Sequence, residues 1–343
     1  MKFLRFLLFP FSIAYSIVTS IRNVLFDTGF FKETSFKIPI ITVGNLNVGG
    51  TGKTPQIEYL IRLLKDKHAI SVLSRGYKRS TNKFVLLDAT SSAQEVGDEP
   101  LQYFNKFKNI DVAVDTNRVN GIKTLIAAKN SEVILLDDAY QHRKVKSSFY
   151  ILLTKYKDLF VDDSLLPTGN LRESGAGAKR ANVIVVTKCP ENISISTKEN
   201  IQKKLQQFKK PLFFSTISYA DKIIGSNPVL TSSLKDYEVL LITGIANPTP
   251  LLNHLKSLNI HFEHLEYADH HHFSEKEIEQ IQQKFSKMNM ENKILLTTEK
   301  DYTRLYNRLE ELNYLAIETQ FLSNQKENFD NLITSHICDF SDK

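Results

Sequence analysis

Apolar residues fall along this chain in two alternating rhythms. Short blocks rich in isoleucine, valine and leucine recur at 40–43, 69–74, 110–114, 132–136, 149–153 and 183–187. Such blocks, bounded by polar turns, read as buried strands. Between them the apolar positions are spaced by three and four, as in Ile57, Leu60, Ile61 and Leu64 or in Val119, Ile122, Leu125 and Ile126. That is the period of a helix burying one face. A short strand is expected at 83–87 and a helix opening at 96–100, with Pro100 in its first turn. The alternation resumes past 219, with strands predicted at 238–243, 262–267, 293–297 and 314–317 and helices at 251–258 and 274–287. Ser274 followed by Glu277 has the form of a capping box. Strands and helices in turn predict a doubly wound, mostly parallel α/β/α sheet with a second, smaller α/β domain. The lysine-rich 204–210 and the polar 222–233 mark the expected junction. This gives a core domain over 28–218 and a second domain over 219–343, the end of the chain being free to pack back on the core.

The first 27 residues break this rhythm. Lys2, Arg5 and Arg22 are the only charges before Asp27, while Phe3, Leu7, Phe11, Ala14 and Val18 stand at helical spacing. A secretory signal would start this way, but no small-residue cleavage site stands out. A membrane span needs about 20 uninterrupted apolar residues, and Arg5 and Pro10 interrupt this run. The expectation is a membrane-associated helix over 1–27 lying in the bilayer interface; a span, or a helix buried on the protein's own core, are the alternatives.

The chemistry begins at 38–64. Here a β-branched strand runs into a turn with Gly44, Gly49, Gly50 and Gly52, then Lys53-Thr54, then a helix. Strand, glycine loop and helix in that order make a phosphate-binding loop, so the fold is expected to be of the P-loop NTPase kind. Residues Asn47, Val48, Gly49, Gly50, Thr51, Gly52, Lys53 and Thr54 would cradle nucleotide phosphates, Lys53 reaching the β and γ phosphates and Thr54 a Mg²⁺ ion. Asn47 stands where the usual pattern has glycine, and asparagine tolerates the left-handed angle such a turn can require. The strand at 132–138 ends in Asp137 and Asp138, which face opposite ways if it persists. One would then serve Mg²⁺ and the other the loop or substrate. Arg75 and its basic neighbours, Lys78 among them, follow the strand at 69–74, at the end of a sheet where ligands bind. The run Asp269-His270-His271-His272 suggests metal at first sight, but neighbours on an extended chain alternate sides and no cysteine accompanies them. A base beside a hydroxyl is the better use, with Asp98 or His270 as the candidate. Lys188 ends the strand at 183–187, yet Pro190 follows where guanine-selecting proteins place an acid, so nothing specific points to GTP.

Composition narrows this only a little. The 343 residues are more than one average domain, and 42% hydrophobic with 24% charged residues is globular. The net charge of +6 suits nucleic acid, an anionic membrane surface or a phosphorylated substrate. The two cysteines, Cys189 and Cys338, have no metal or redox spacing and read as reduced thiols.

In order along the chain, several motifs together resemble the tetraacyldisaccharide 4′-kinases, the ATP-dependent kinases of lipid A biosynthesis. They are Ile41-Thr42-Val43-Gly44-Asn45-Leu46 with Val48 to Pro55, Ser74-Arg75-Gly76-Tyr77, Val96-Gly97-Asp98-Glu99-Pro100, and Asp137-Asp138-Ala139-Tyr140-Gln141-His142, in which Ala139 replaces the family's glycine and Tyr140 its phenylalanine. Leu166-Pro167 through Leu171-Arg172-Glu173, Asp269-His270-His271 and Thr298-Glu299-Lys300-Asp301 complete the set. The resemblance implies transfer of the ATP γ-phosphate to the 4′-hydroxyl of a tetraacyl glucosamine disaccharide 1-phosphate, giving lipid IVA at the cytoplasmic face of a bacterial inner membrane. It implies Asp98 paired with His270 as the base, Lys53 on phosphate, and Thr54, Asp138 and Glu173 on Mg²⁺. Arg75, Arg118, Asp137, Gln141, His142 and Arg172 would line the site. The expected partners are ATP, Mg²⁺, the membrane lipid substrate and an anionic membrane surface, with no nucleic acid, the protein acting as a monomer. The rival readings are a P-loop ATPase switch and a soluble small-molecule sugar kinase.

Overall fold

In a computed structural model, residues 5, 7–77, 79–288 and 292–341 are described; Lys2, Phe3 and Lys78, invoked above, lie outside them. The central strand β1 (Ile40–Asn45) is buried at every position. Alternate side chains feed two cores, Ile41 and Val43 joining one apolar cluster and Ile40 the other. A strand covered on both faces has no polar side to show, which is why it reads as a continuous apolar run.

Helix α1 (Phe9–Asp27) precedes it. After it come α2 (Lys53–Leu64), β2 (Ile70–Ser74), β3 (Val85–Leu86), α3 (Ala93–Val96), α4 (Asp98–Lys106), β4 (Asp111–Val114), α5 (Arg118–Lys129), β5 (Val133–Asp137), β6 (Phe149–Lys155), β7 (Val183–Thr187), α6 (Ile195–Leu205) and β8 (Leu212–Tyr219). These strands, with β14 (Ile317–Phe321), form one sheet in the order β14-β8-β7-β6-β1-β5-β2-β4-β3. Its seven inner strands are parallel, and β3 and β14 pair antiparallel at the edges. The chain leaves β1 towards β2 and later returns to build β6, β7 and β8 on the other side. The tip of β1 is therefore a switch point, where a crevice opens outside the carboxyl ends.

The second sheet contains β9 (Ile224–Gly225), β10 (Glu238–Thr243), β11 (Phe262–Glu266), β12 (Lys293–Thr298) and β13 (Leu312–Leu315), in the order β11-β10-β12-β13-β9. It carries α7 (Thr249–Ser257), α8 (Glu275–Ser286) and α9 (Glu299–Leu305). The capping box at Ser274 and Glu277 is formed. The chain crosses between sheets where the Ala220 N–H donates to the Ala316 carbonyl at 3.0 Å. Two expectations are corrected here. Residues 204–210 are no linker, since they end α6 and lead into β8 of the first sheet. The strand expected at 314–317 is two strands in different sheets, joined at Ala316. An unbroken apolar run carries no sign of such a change.

The last helix, α10 (Lys326–Ser341), returns Phe329, Ile333 and Ile337 to the core beneath α2. The strands of the smaller sheet thus lie between Ile224 and Leu315, and the end of the chain packs on the larger unit. α1 has the reverse polarity of an ordinary surface helix. Its buried residues are Ser12 and, near its end, Phe26, while Phe11, Ile17, Val18, Ile21 and Val24 are 54–66% exposed.

Candidate active site

β1 delivers the chain into the crevice, and residues 45–54 turn there before entering α2. Gly49 and Gly52 hold φ angles of 100° and 87°, a region that a Cβ disfavours. The backbone N–H groups of 49–53 are bonded to no other described group. They are therefore open, with the positive end of α2, to an anion. Two ammonium groups reinforce this. Lys53 Nζ lies 3.5 Å from Asn45 Oδ1 and 3.7 Å from Asp138 Oδ2. Lys188 Nζ reaches the loop at Gly50. The protein around Lys188, with the charges of Lys155 and Lys53, lowers its pKa below the usual lysine range even though its side chain meets solvent. Crowded cations beside unclaimed N–H groups fit a polyphosphate.

Thr51 is buried and its carbonyl accepts from Thr187 Oγ1 at 2.7 Å, while the Val48 N–H donates to the Asn170 carbonyl at 2.8 Å. Thr54 sits half-buried in the first turn of α2. Asn47 departs from expectation, because it does not adopt a positive φ. It is buried, and its Nδ2 donates to Asp163 Oδ2 at 2.8 Å. The position uses the side-chain amide to fasten the loop to 163–171, not a backbone tolerance.

β5 stops at Asp137, one residue short of the expected end, because Asp138 turns to φ 47°. That turn, rather than strand alternation, parts the two acids. Asp137 is buried and accepts from Ser74 Oγ at 3.3 Å, with its other oxygen unpartnered among the described residues. Burial, then the adjacent Asp138 charge, pushes its carboxyl up to about 7. The protein around Asp138 opposes ionisation too, but Lys53 and Arg172 outweigh it and hold Asp138 below the usual carboxylate range. Arg172 grips both Asp138 oxygens, at 2.8 and 3.2 Å, and also the Asn45 carbonyl at 3.2 Å. Asp137 thus holds its proton far more readily than Asp138, which stays ionised, the usual outcome for adjacent carboxylates.

Glu173 is not placed as a free metal ligand. Its oxygens accept from Arg180 Nη2 at 2.8 and 2.9 Å, from Gln141 Nε2 at 3.0 Å and from Asn23 Nδ2 at 3.0 Å, and it is buried. Holding Mg²⁺ would cost it part of this set; here it anchors Gln141, whose Nε2 also donates to the Asn45 carbonyl at 2.9 Å. His142 is pushed down to about 4 by burial and by Arg118, Lys144, Arg22 and Arg75, and is neutral at pH 7. Arg118 is buried and brought down to about 10 by that burial and by Arg75. Arg75 itself is exposed.

The second cluster bridges the two sheets. Asp98 opens α4, and His270 follows β11. His270 Nδ1 lies 2.8 Å from Asp98 Oδ2, and its Nε2 lies 2.9 Å from Lys300 Nζ. Arg304 Nε donates to Asp98 Oδ1 at 2.7 Å, and its Nη2 donates to Oδ2. Asp98 Oδ1 therefore keeps acceptor capacity for a hydroxyl. Burial works to raise the Asp98 carboxyl, but the hydrogen bonds from His270 and Arg304 and the charges of Arg304 and Lys300 win and bring it down to about 2. His270 holds a left-handed φ of 61°. Its N–H donates to the Gly244 carbonyl at 3.1 Å, and the Gly244 N–H is held by buried Asp301 at 2.8 Å. A cavity of about 390 Å³ opens beside the pair, with Tyr77, His272 and Arg308 also in its wall. Among the described residues no group of three or more acids, histidines and cysteines gathers as a metal site; His271 pairs with Glu277 at 3.0 Å.

Sequence reasoning missed Arg304, Lys155 and Arg180 as members of these clusters. The spacing of Lys300 and Arg304 on one helix face was the available sign of the first. Because Asp98 is held down to about 2 in the fold, against a usual value of about 4, its charge stabilises the fold above pH 4. That stability, about 2 kcal/mol, fades as the pH falls from about 4 towards 2. Urea unfolding of wild type and Asp98→Asn should show a stability gap at pH 6 that narrows by pH 3. A gap independent of pH contradicts the assignment.

The sequence profile of the family described as tetraacyldisaccharide-1-P 4′-kinase matches residues 4–338 of this chain. A Flavobacterium psychrophilum protein named tetraacyldisaccharide 4′-kinase is 53% identical to it over 344 residues, covering 98% of each chain. One of the same name from Bacteroides thetaiotaomicron is 45% identical over 351 residues, covering 96% of this chain and 92% of its own. A crystal structure described as the "apo" form of LpxK from Aquifex aeolicus in complex with ATP superposes with a TM-score of 0.78. It is 31% identical, with 97% of this chain and 99% of that one covered.

Proposed function

The chain belongs to the tetraacyldisaccharide 4′-kinase family, and on that premise we propose that it moves the γ-phosphate of ATP to the 4′-hydroxyl of a tetraacyl glucosamine disaccharide 1-phosphate, forming lipid IVA in lipid A biosynthesis. One observation carries the reading at the level of residues. A loop of unclaimed N–H groups and lysines opens at the tip of β1 in one unit, and the other unit brings His270 against Asp98 at the opening of α4. The loop would take the phosphates of ATP, with Lys53 as the cation placed to meet them. Thr54 and Asp138 would hold Mg²⁺, which when bound neutralises charge between the β and γ oxygens. Asp98 accepts the proton of the sugar hydroxyl at Oδ1, while His270 and Arg304 hold its carboxylate in place. Phosphoryl transfer passes through a loose transition state that asks little basicity of the acceptor, so a carboxyl held near 2 is still competent.

The acceptor carries four acyl chains, and the outward apolar face of α1 supports a lipid surface as the place of work. α1 is 19 residues long and apolar enough to cross a bilayer, yet its inner side is bonded to the protein through Ser12, Tyr15, Arg22 and Asn23. Those bonds favour a helix lying in the interface, at the cytoplasmic face of the inner membrane, where ATP is present. The net charge of +6 suits anionic headgroups. In this reading the protein acts as a monomer and binds no nucleic acid.

Phe11→Ser with Val18→Ser should weaken binding to vesicles of anionic phospholipid by about 10–100-fold, as lost apolar burial requires. Both side chains are exposed, so the fold should be unaffected, and unchanged sedimentation with vesicles contradicts the interface. A switch ATPase would hydrolyse ATP at full rate without acceptor. The kinase should turn ATP over slowly until the disaccharide is added.

A further inference from the structure

α1 makes a ladder of hydrogen bonds that leads into the nucleotide site. Ser12 Oγ donates to Thr168 Oγ1 at 2.6 Å and accepts from the Thr168 N–H at 3.0 Å. The Tyr15 hydroxyl donates to the Arg172 carbonyl at 2.8 Å, and Asn23 Nδ2 donates to Glu173 Oε2 at 3.0 Å. Beyond these two contacts stand the groups already described. The Arg172 guanidinium holds Asp138 and the Asn45 carbonyl. Glu173 holds Gln141, which reaches the same Asn45 carbonyl. Asn45 is the last residue of β1, and its Oδ1 lies beside Lys53 Nζ. Only a few bonds therefore separate an exposed helix from the phosphate loop and from Asp138.

A helix that served only to dock would need no such contacts, and an ordinary surface helix would hold on by its apolar side. α1 presents its apolar side outward and reaches the site with its polar side. We infer that Tyr15 and Asn23 are positioning residues for the nucleotide site: through Arg172 and Glu173 they set Asp138 and the mouth of the loop. In so far as α1 sits on a lipid surface, which rests on the reading above, docking and ATP binding are coupled. Such coupling is reciprocal, ATP strengthening vesicle binding by the factor by which vesicles strengthen ATP binding.

The test is the KM for ATP of the purified full-length protein, measured with acceptor in neutral detergent micelles, since KM does not depend on how much of a sample is folded. Tyr15→Phe and Asn23→Ala should each raise it by about 3–10-fold, the usual consequence of one lost buried hydrogen bond. Asn23→Asp sets a carboxylate against Glu173 and should raise it further than Asn23→Ala. Vesicle binding of all three should stay at the wild-type level. An ATP KM unchanged in both Tyr15→Phe and Asn23→Ala overturns the inference, whatever the vesicles show. Failure of the wild-type protein to bind vesicles overturns the interface reading instead, and leaves the positioning role to be judged on KM alone.

Discussion

Asp98→Asn lowers kcat for phosphate transfer by about 10²–10⁴-fold, the range expected when a general base is lost, and leaves the KM for ATP close to wild type. The split follows from where Asp98 stands. It belongs to α4 and is bonded to His270 and Arg304 from the other unit, whereas the phosphate loop is built by β1 and α2. The amide keeps the shape and can still accept from Arg304, but it carries no charge and takes no proton. His270 and Arg304 then lose the anion that fixes them. Steady-state kinetics with ATP and acceptor varied in turn check this, and unchanged kcat removes Asp98 from the chemistry.

Lys53→Ala should cost about 10²–10³-fold in kcat/KM through lost stabilisation of charge on the transferring phosphoryl group, the magnitude typical of one preorganised donor. Its ammonium lies at the mouth of the loop, 3.5 Å from Asn45 Oδ1 and 3.7 Å from Asp138 Oδ2, loosely enough held for its charge to meet a ligand. Asp138 would also lose one of the three cations, with Arg172 and Arg118, that keep it ionised. Lys53→Arg should not restore the rate, since a forked guanidinium is larger than the point charge the loop accommodates. A loss in KM for the lipid acceptor with kcat intact would instead place Lys53 on the acceptor side.

Much of this was legible in the sequence because it is locally encoded. β1 and the phosphate loop announce themselves through burial on both faces and through glycines whose angles only glycine takes freely, as at Gly49 and Gly52. The helix at Glu275–Ser286 carries its own cap. What stayed hidden depends on contacts far apart in the chain. Asn47 looked like a substitute for glycine, yet its partner Asp163 lies 116 residues on. The bonds that Glu173 accepts from Arg180, Gln141 and Asn23 likewise join residues with no mark of one another in the sequence. The crossing at Ala316 leaves no mark in a uniformly apolar stretch. The pairing of Asp98 with His270 came from the family resemblance rather than from spacing, because the two residues are 172 apart. The apolar stripe of α1 was visible in the sequence, but whether it turns outward or into the core was left open until the fold placed it.

A lipid kinase that carries out transfer in the crevice between its two sheets must leave the phosphate on the lipid. Purified protein should be incubated with γ-labelled ATP, Mg²⁺ and membranes or micelles containing the unphosphorylated tetraacyl disaccharide 1-phosphate. The label should appear in the organic-extractable lipid at the 4′ position, in amounts that track acceptor and fall away with Asp98→Asn. Label released only as inorganic phosphate, at a rate indifferent to the disaccharide, would contradict the account.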